Sequence, residues 1–155
     1  MELARNLKID SVSRLTPTPP HQIGPDRTVA DAVALMKEKN VGCLLVCDAG
    51  RLVGILTERD VMVRVVAQNR PLSTPVVECM TPDPITVSSK ESIRAALERM
   101  QLGNYRHLPV LDEQGRIVGV LSIKRIVHYL VEHFPGIVCT QPPRPKKSPP
   151  KREGA

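Results

Sequence analysis

Two short segments carry residue types that could bind a polar ligand between them. In the first, Thr57 and Asp60 stand three residues apart at the end of an apolar run. The two acceptor oxygens of a carboxylate suit a vicinal diol such as that of a ribose. In the second, Arg106 and His107 precede another apolar run, and Lys124 follows it. Because a guanidinium presents a rigid fork of donors, Arg106 suits phosphate oxygens.

Both segments also have a structural interpretation. Thr57 can cap the helix that follows it, and Asp60 in the first turn of that helix has a favourable charge. Arg106 and His107 can be solvated residues at the edge of a strand. The spacing alone leaves these alternatives open.

Two cations of the second half conflict with the helix that contains them. Lys124 and Arg125 fall in its first turn. There the helix dipole disfavours each positive charge by about 0.3 kcal/mol or more. A bound phosphate would remove that conflict.

The elements that position these residues occur twice. Residues 28–36 align with residues 92–100 at an offset of 64, and in both copies the apolar positions follow the pattern i, i+3, i+4, i+7, which predicts one face of a helix. Thr28 and Ser92 take the N-cap position. The repeated apolar residues are Val29, Ala32, Val33 and Met36, then Ile93, Ala96, Leu97 and Met100.

The repetition continues through two apolar strands. Residues 44–48 align with 108–112, and after one inserted residue 50–57 align with 115–122. Second helices are expected at about 58–66 and 123–131. A copy of about 60 residues buries little core alone, so we predict an α/β (α+β) fold in which two copies pack about a pseudo-twofold axis, each a small sheet with two helices.

Composition excludes several classes of protein. Aromatic residues make up 2% of the 155 residues, so the core must be aliphatic. The segment after Gln141 carries four of the six net positive charges, which leaves the body without the basic face of a nucleic-acid binder. No apolar run approaches the roughly 18 residues of a membrane span. The four cysteines form no C-x-x-C pair, which favours a reducing, cytoplasmic setting.

Four motifs resemble the CBS domain family, named from cystathionine β-synthase. They are Met80-Thr-Pro-Asp-Pro-Ile-Thr-Val87, Tyr105-Arg-His-Leu-Pro-Val-Leu-Asp112, Gly54-Ile-Leu-Thr-Glu-Arg-Asp60 and Gly119-Val-Leu-Ser-Ile-Lys-Arg125. The chain resembles stand-alone bacterial or archaeal members with a tandem pair. The expected organisation is a lead-in at 1–10, repeats at 11–69 and 77–136, a linker at 70–76, and a basic, proline-rich, disordered tail at 137–155.

The resemblance implies a composite site for AMP, ADP or ATP. Thr57 and Asp60 match the ribose motif of the family, and Arg106, His107 and Lys124 would hold phosphates. The second copy ends its motif in arginine, so the opposite cleft is expected to be weak or empty. The base would contact Ile85 and Pro109 near Thr81, although both can equally be core, and the weaker cleft would comprise His21, Gly42, Cys43 and Ser122.

The expected function is therefore a regulatory, ligand-sensing module and not an enzyme. No catalytic motif or metal-ligand spacing is present in the sequence, and no cofactor beyond the nucleotide is expected. The alternatives are a dimerisation or interaction module without nucleotide, and an S-adenosylmethionine binder. A homodimer is expected, with Val61, Val65, Ile126 and Val127 at its interface, together with an unidentified regulated protein.

Overall fold

Two small sheets with the same strand order form the framework. The computed structural model describes residues 2–138, of which 137 and 138 by their backbone alone, so most of the predicted tail lies outside the described residues. In both sheets a short first strand runs parallel to the second, which pairs antiparallel with the third. The predicted α+β fold of two repeats is confirmed. The first sheet contains β1 (Gln22–Ile23), β2 (Cys43–Asp48), β3 (Arg51–Thr57) and β4 (Thr81–Pro82); the second contains β5 (Val87–Ser88), β6 (His107–Leu111) and β7 (Ile117–Ser122).

The helices begin and end where the sequence supplies caps. Thr28 forms a capping box with Asp31, and the Ser92 side chain accepts from the amide of Ala95. Asn40 and Asn104 follow the last residues of these two helices. Both have a left-handed backbone conformation, which asparagine tolerates. The helices are α1 (Glu2–Ile9), α2 (Val29–Lys39), α3 (Glu58–Asp60) with a π-helix at Val61–Val66, α4 (Ile93–Gly103), α5 (Ile123–His133) and α6 (Pro135–Val138), with 3₁₀ turns at Val12–Leu15 and Val76–Glu78.

The helical stripes expected to be buried are buried with one exception. Val29, Met36, Ile93 and Met100 are in the core, and Leu97 is partly buried against it. Val33 is 40% exposed. The prediction for Val33 is wrong because this side chain lines a cleft instead of packing on the sheet.

The two sheets bury both of their faces. Leu44 and Val46 point from β2 into the core of the first repeat, while Cys43 and Leu45 contribute to a cluster shared with Val120 of the second sheet. Such two-sided burial explains why β2 reads as a continuous apolar run rather than an alternating one. The shared cluster holds the two repeats together.

The segment that precedes each repeat packs on the other repeat. At the end of the lead-in, the carbonyl of Asp10 accepts from the amide of Ile93 at 3.0 Å, and in the segment that follows Thr18 pairs with Val120. In the linker, Thr74 accepts from the amide of Val29 at 2.9 Å. The strand β4, which follows the linker, pairs with β3 of the first repeat. Val12 and Leu15 accordingly belong to the second core, and Val76 and Cys79 to the first. Each core is thus completed by a crossed segment.

Candidate functional site

A cleft of about 830 Å³ opens between the repeats, at the end of the sheets where α3 and α5 begin. Cys43, which lines it, pairs with Thr57 across the first sheet, and His107 pairs with Ser122 across the second. The cleft therefore lies between two equivalent strand-to-helix junctions. Its lining comprises Thr18, Pro19, His21, Val33, Met36, Lys37, Asn40, Val41, Gly42, Cys43, Glu58, Val61, Arg106, His107, Val120, Ser122, Ile123 and Lys124.

At the first junction the helix is fully capped. The Thr57 hydroxyl accepts from the Asp60 amide at 3.2 Å, and Asp60 Oδ2 accepts from the Thr57 amide and hydroxyl, both at 3.0 Å. Asp60 Oδ1 lies 3.8 Å from Arg64 Nε. The capping interpretation is therefore correct for both residues. Because Oδ2 alone carries these bonds and the Asp60 side chain is 14% exposed, Oδ1 remains able to accept from a ligand.

At the second junction the helix has no such cap. The Ser122 hydroxyl makes no capping hydrogen bond, and the first turn of α5 contains no acidic residue. The backbone amide of Ile123 donates to the backbone carbonyl of Arg106 at 2.9 Å. The first amides of a helix have no acceptor within the helix itself, and Lys124 and Arg125 hold these positions in α5. The N-terminus of α5 thus leaves donors and a positive dipole end at the cleft.

The charged side chains of the cleft are mostly cationic. Within residues 2–138, neither Arg106 nor Lys124 has a carboxylate within 4 Å. The Glu58 carboxylate lies against Gly42, where a Cβ would come within 3.1 Å of it. Burial lowers the pKa of His107, Glu58 opposes that effect, and Lys124 and Arg106 add to it. The net effect keeps the pKa of His107 below its ordinary value, and the charges of Arg106 and Lys124 favour an anion in the cleft.

The structure unites two groups of residues that the sequence assigned to separate clefts. Arg106, His107 and Lys124 line the same cavity as the set predicted for the weaker cleft, His21, Gly42, Cys43 and Ser122. Their proximity was missed because it depends on how the two sheets face each other, which brings the starts of β2 and β6 to the same cavity. Glu58 was also missed, since its equivalent in the second repeat is the apolar Ile123.

Five predicted residues lie outside the lining of this cleft. Thr57 and Asp60 form the adjoining cap. Thr81 is in β4 opposite Ile55. Ile85 is 42% exposed, which argues against a core role. Pro109 is buried within β6, as its core interpretation requires.

Cys43 brings a thiol to the cleft wall but not a nucleophile. Burial, with a smaller effect of the Asp60 charge, raises its pKa to about 12, so the reactive thiolate is scarce at neutral pH. Cys43 lies opposite Thr57 in the first sheet, which places the cap formed by Thr57 and Asp60 beside the cleft. In the part of the chain that the structure describes, no three histidine, cysteine or carboxylate side chains cluster as a metal site would require.

None of the described helices combines the length and the apolar character needed to cross a bilayer.

The family model for the CBS domain matches residues 12–67 and 76–132. The chain belongs to the CBS domain family. A curated relative from Acidianus ambivalens, an uncharacterized 17.7 kDa protein, is 36% identical over 122 residues, which are 78% of this chain and 73% of the relative. The CBS domain-containing protein CBSCBSPB5 of Arabidopsis thaliana is 39% identical over 111 residues, but the match spans only 20% of its length.

Solved CBS structures share the fold and differ in what they hold. A putative signal-transduction protein from Burkholderia ambifaria is 35% identical with a TM-score of 0.71, covering 85% of this chain and 95% of that one. PAE2072 of Pyrobaculum aerophilum, solved with AMP, is 29% identical with a TM-score of 0.69, covering 79% and 99%. The CBS pair of MJ0100, in complex with 5′-methylthioadenosine and S-adenosyl-L-methionine, is 26% identical with a TM-score of 0.72, covering 80% and 98%.

Proposed function

We propose that this CBS pair is a regulatory module, not an enzyme, and binds an adenine nucleotide between its repeats. The observation that carries the proposal is the uncapped start of α5 beside Arg106 and Lys124. Two cations without carboxylate partners in the described residues, next to open amide donors, form a site for a phosphate group. The AMP bound by PAE2072, a structural neighbour, supports a nucleotide as the ligand.

The rest of the nucleotide would extend from this phosphate site toward the first repeat. Asp60 Oδ1 would accept from a ribose hydroxyl while Oδ2 retains its capping bonds. Ile85, with Thr81 nearby, remains the base contact that the family resemblance predicts, and neither residue belongs to the lining of the cleft itself. The buried Pro109 would support that contact from within the second sheet. ADP and ATP would place further phosphates among the remaining cations.

The regulatory output would be a change in how the repeats pack. Because the cleft contacts both repeats and the segment after the lead-in, at Thr18, Pro19 and His21, a ligand would favour one relative orientation of the repeats. We further propose a homodimer, whose partner copy covers apolar residues on the second helical elements. Val65 and Ile126 are buried in the cores, so their predicted interface role is wrong. The exposed candidates are Met62, Val63, Val66, Val127 and Val131.

Calorimetric titration with AMP, ADP and ATP tests the proposal. Arg106→Ala and Lys124→Ala should each weaken AMP binding about tenfold. This factor corresponds to the lower end of the free energies given for hydrogen bonds to charged groups, as suits an accessible site. Arg59→Ala is the matched control, because Arg59 occupies in the first repeat the position of Lys124 and lies outside the cleft lining. It should leave the affinity unchanged.

Two outcomes would replace the proposal with its alternatives. Selective binding of S-adenosylmethionine, the ligand of MJ0100, would assign the cleft to a sulfonium compound, with Glu58 as its anionic contact. Absence of binding for every adenosyl compound at millimolar concentration would leave an interaction module in which Asp60 only caps a helix.

A further inference from the structure

A second cavity, of about 600 Å³, lies between the repeats at the other end of the two sheets. It is formed by the turns that join β2 to β3 and β6 to β7. None of its lining residues also lines the nucleotide cleft. Its size suits a small molecule. The lining comprises Gln22, Gly50, Arg51, Leu52, Asp83, Pro84, Thr86, Leu111, Gly115, Arg116 and Ile117.

The walls of this turn cavity are equivalent in the two repeats. Gly50 and Gly115 both have positive φ, 78° and 76°, which closes each turn in the same way. The next residue in each repeat is therefore placed alike, and both are arginines, Arg51 and Arg116. Leu52 and Ile117 then form equivalent apolar walls, and Gln22 and Thr86 equivalent polar ones. A quasi-symmetric cavity with a cation on each side results.

The two guanidinium groups are available to a ligand. Arg116 Nε donates to Asp112 at 2.7 Å and Nη2 to Gln114 at 3.0 Å, which orients the group and leaves Nη1 without a partner among the described residues. Arg51 forms no ion pair with any of the described residues. Arg116 is already ion-paired with Asp112, which partly neutralises its charge, and Asp83 is the one carboxylate in the lining itself.

We propose that the turn cavity binds a small organic dianion that has an anionic group at each end of a short apolar body. Each end would contact one arginine, and the body would pack between Leu52 and Ile117. A guanidinium fork binds carboxylates well, and the dianion would give Arg51 the anionic partner that it lacks among the described residues. The site is independent of the nucleotide cleft and does not rest on the proposed function.

Titration with glutarate, followed by backbone amide NMR shifts, tests this site. Saturable shifts are expected at the amides of Gly50 and Gly115, beyond those that sodium chloride gives at equal ionic strength. Arg51→Ala and Arg116→Ala should each weaken glutarate binding about tenfold, and Arg51→Lys should recover only part of the loss. Arg59→Ala, which changes the same charge elsewhere, should have no effect.

Two further variants separate a built site from general electrostatics. Asp83→Asn should tighten glutarate binding, because it removes the carboxylate that the dianion would approach. Arg106→Ala should leave glutarate binding unchanged. Shifts that chloride reproduces, that persist in Arg51→Ala, or that move to the amides of residues 122–125 would overturn the proposal. All variants lie at exposed positions, and thermal melting verifies that they fold.

Discussion

At the scale of single residues, Asp60 joins the architecture of the first repeat to its proposed ligand. One carboxylate oxygen holds the cap with Thr57, and the other has no hydrogen bond among residues 2–138. Removing the carboxylate should therefore affect the apo protein and the complex by different amounts. The two effects can be measured apart.

Asp60→Ala should lower the unfolding free energy of the apo protein by about 1 kcal/mol, the usual cost of a lost helix cap. It should also weaken AMP binding about tenfold or more, as for a charged hydrogen bond. Asp31→Ala is the control, since it breaks the equivalent capping box of α2 away from the junction. Denaturant unfolding and calorimetry give the two numbers, and equal AMP affinity in both variants would refute the ribose contact.

His107 makes stability depend on pH in a definite direction. Burial holds its pKa in the folded chain below the ordinary 6.5, so the unfolded chain takes up the proton first as the pH falls. This contribution to stability is complete above about pH 6.5 and is lost below it. The unfolding free energy should fall between pH 7.5 and pH 5.5. In the His107→Gln variant it should fall by less over the same range. Saturating AMP should reduce the decline, because a phosphate favours the imidazolium.

The sequence identified the chemistry of these residues better than their grouping. The cap at Thr57 and Asp60 is local, so a spacing of three residues predicts it. The meeting of Arg106 with His21 and Cys43 depends on how the two sheets face each other. No short-range pattern encodes that packing.

At the scale of elements, the four repeated helices have different N-termini. Asp31 and Asp60 complete capping boxes, and Ser92 caps α4. Only α5 of this set begins with two cations and an unused serine hydroxyl. The exception coincides with the proposed phosphate site, as expected where local stability is given up for binding.

Arg125→Asp should stabilise the apo protein while weakening phosphate binding. The aspartate would stand at the third helical position after Ser122 and complete the capping box found in the other repeat. The expected gain is about 0.5–1 kcal/mol, visible as a higher Tm. Arg125→Ala should give only the part of this stability gain that comes from removing the positive charge. A lower Tm for Arg125→Asp than for Arg125→Ala would contradict this account.

Helices and long strands were predictable, whereas the short edge strands were not. The i, i+3, i+4, i+7 stripes and their caps locate the first residues of α2 and α4, whereas both helices continue three residues beyond the stripes, to Lys39 and Gly103. The strand β4 spans two residues, which is too short for any periodicity. The π-helix at Val61–Val66 likewise has no composition that distinguishes it from an α-helix.

At the scale of the whole molecule, the exposed apolar residues of the second helical elements support the proposed homodimer. Val66→Glu combined with Val127→Glu should shift sedimentation from dimer to monomer at micromolar concentration, because a charge would be buried at the interface. Leu102→Glu is the control, since Leu102 is exposed on α4. A wild-type chain that sediments as a monomer would refute the dimer.

The crossed segments make the peptide connection between the repeats only one of several links between them. If the chain were cut near Asn69, the amino-terminal fragment would still carry the lead-in that completes the second core, and the carboxy-terminal fragment would carry the linker and β4 that complete the first. Each fragment would therefore lack part of its own core and hold the missing part of the other. We expect such fragments to be obligate complements, so that the module would reassemble from the two polypeptides together but would not form from either one alone.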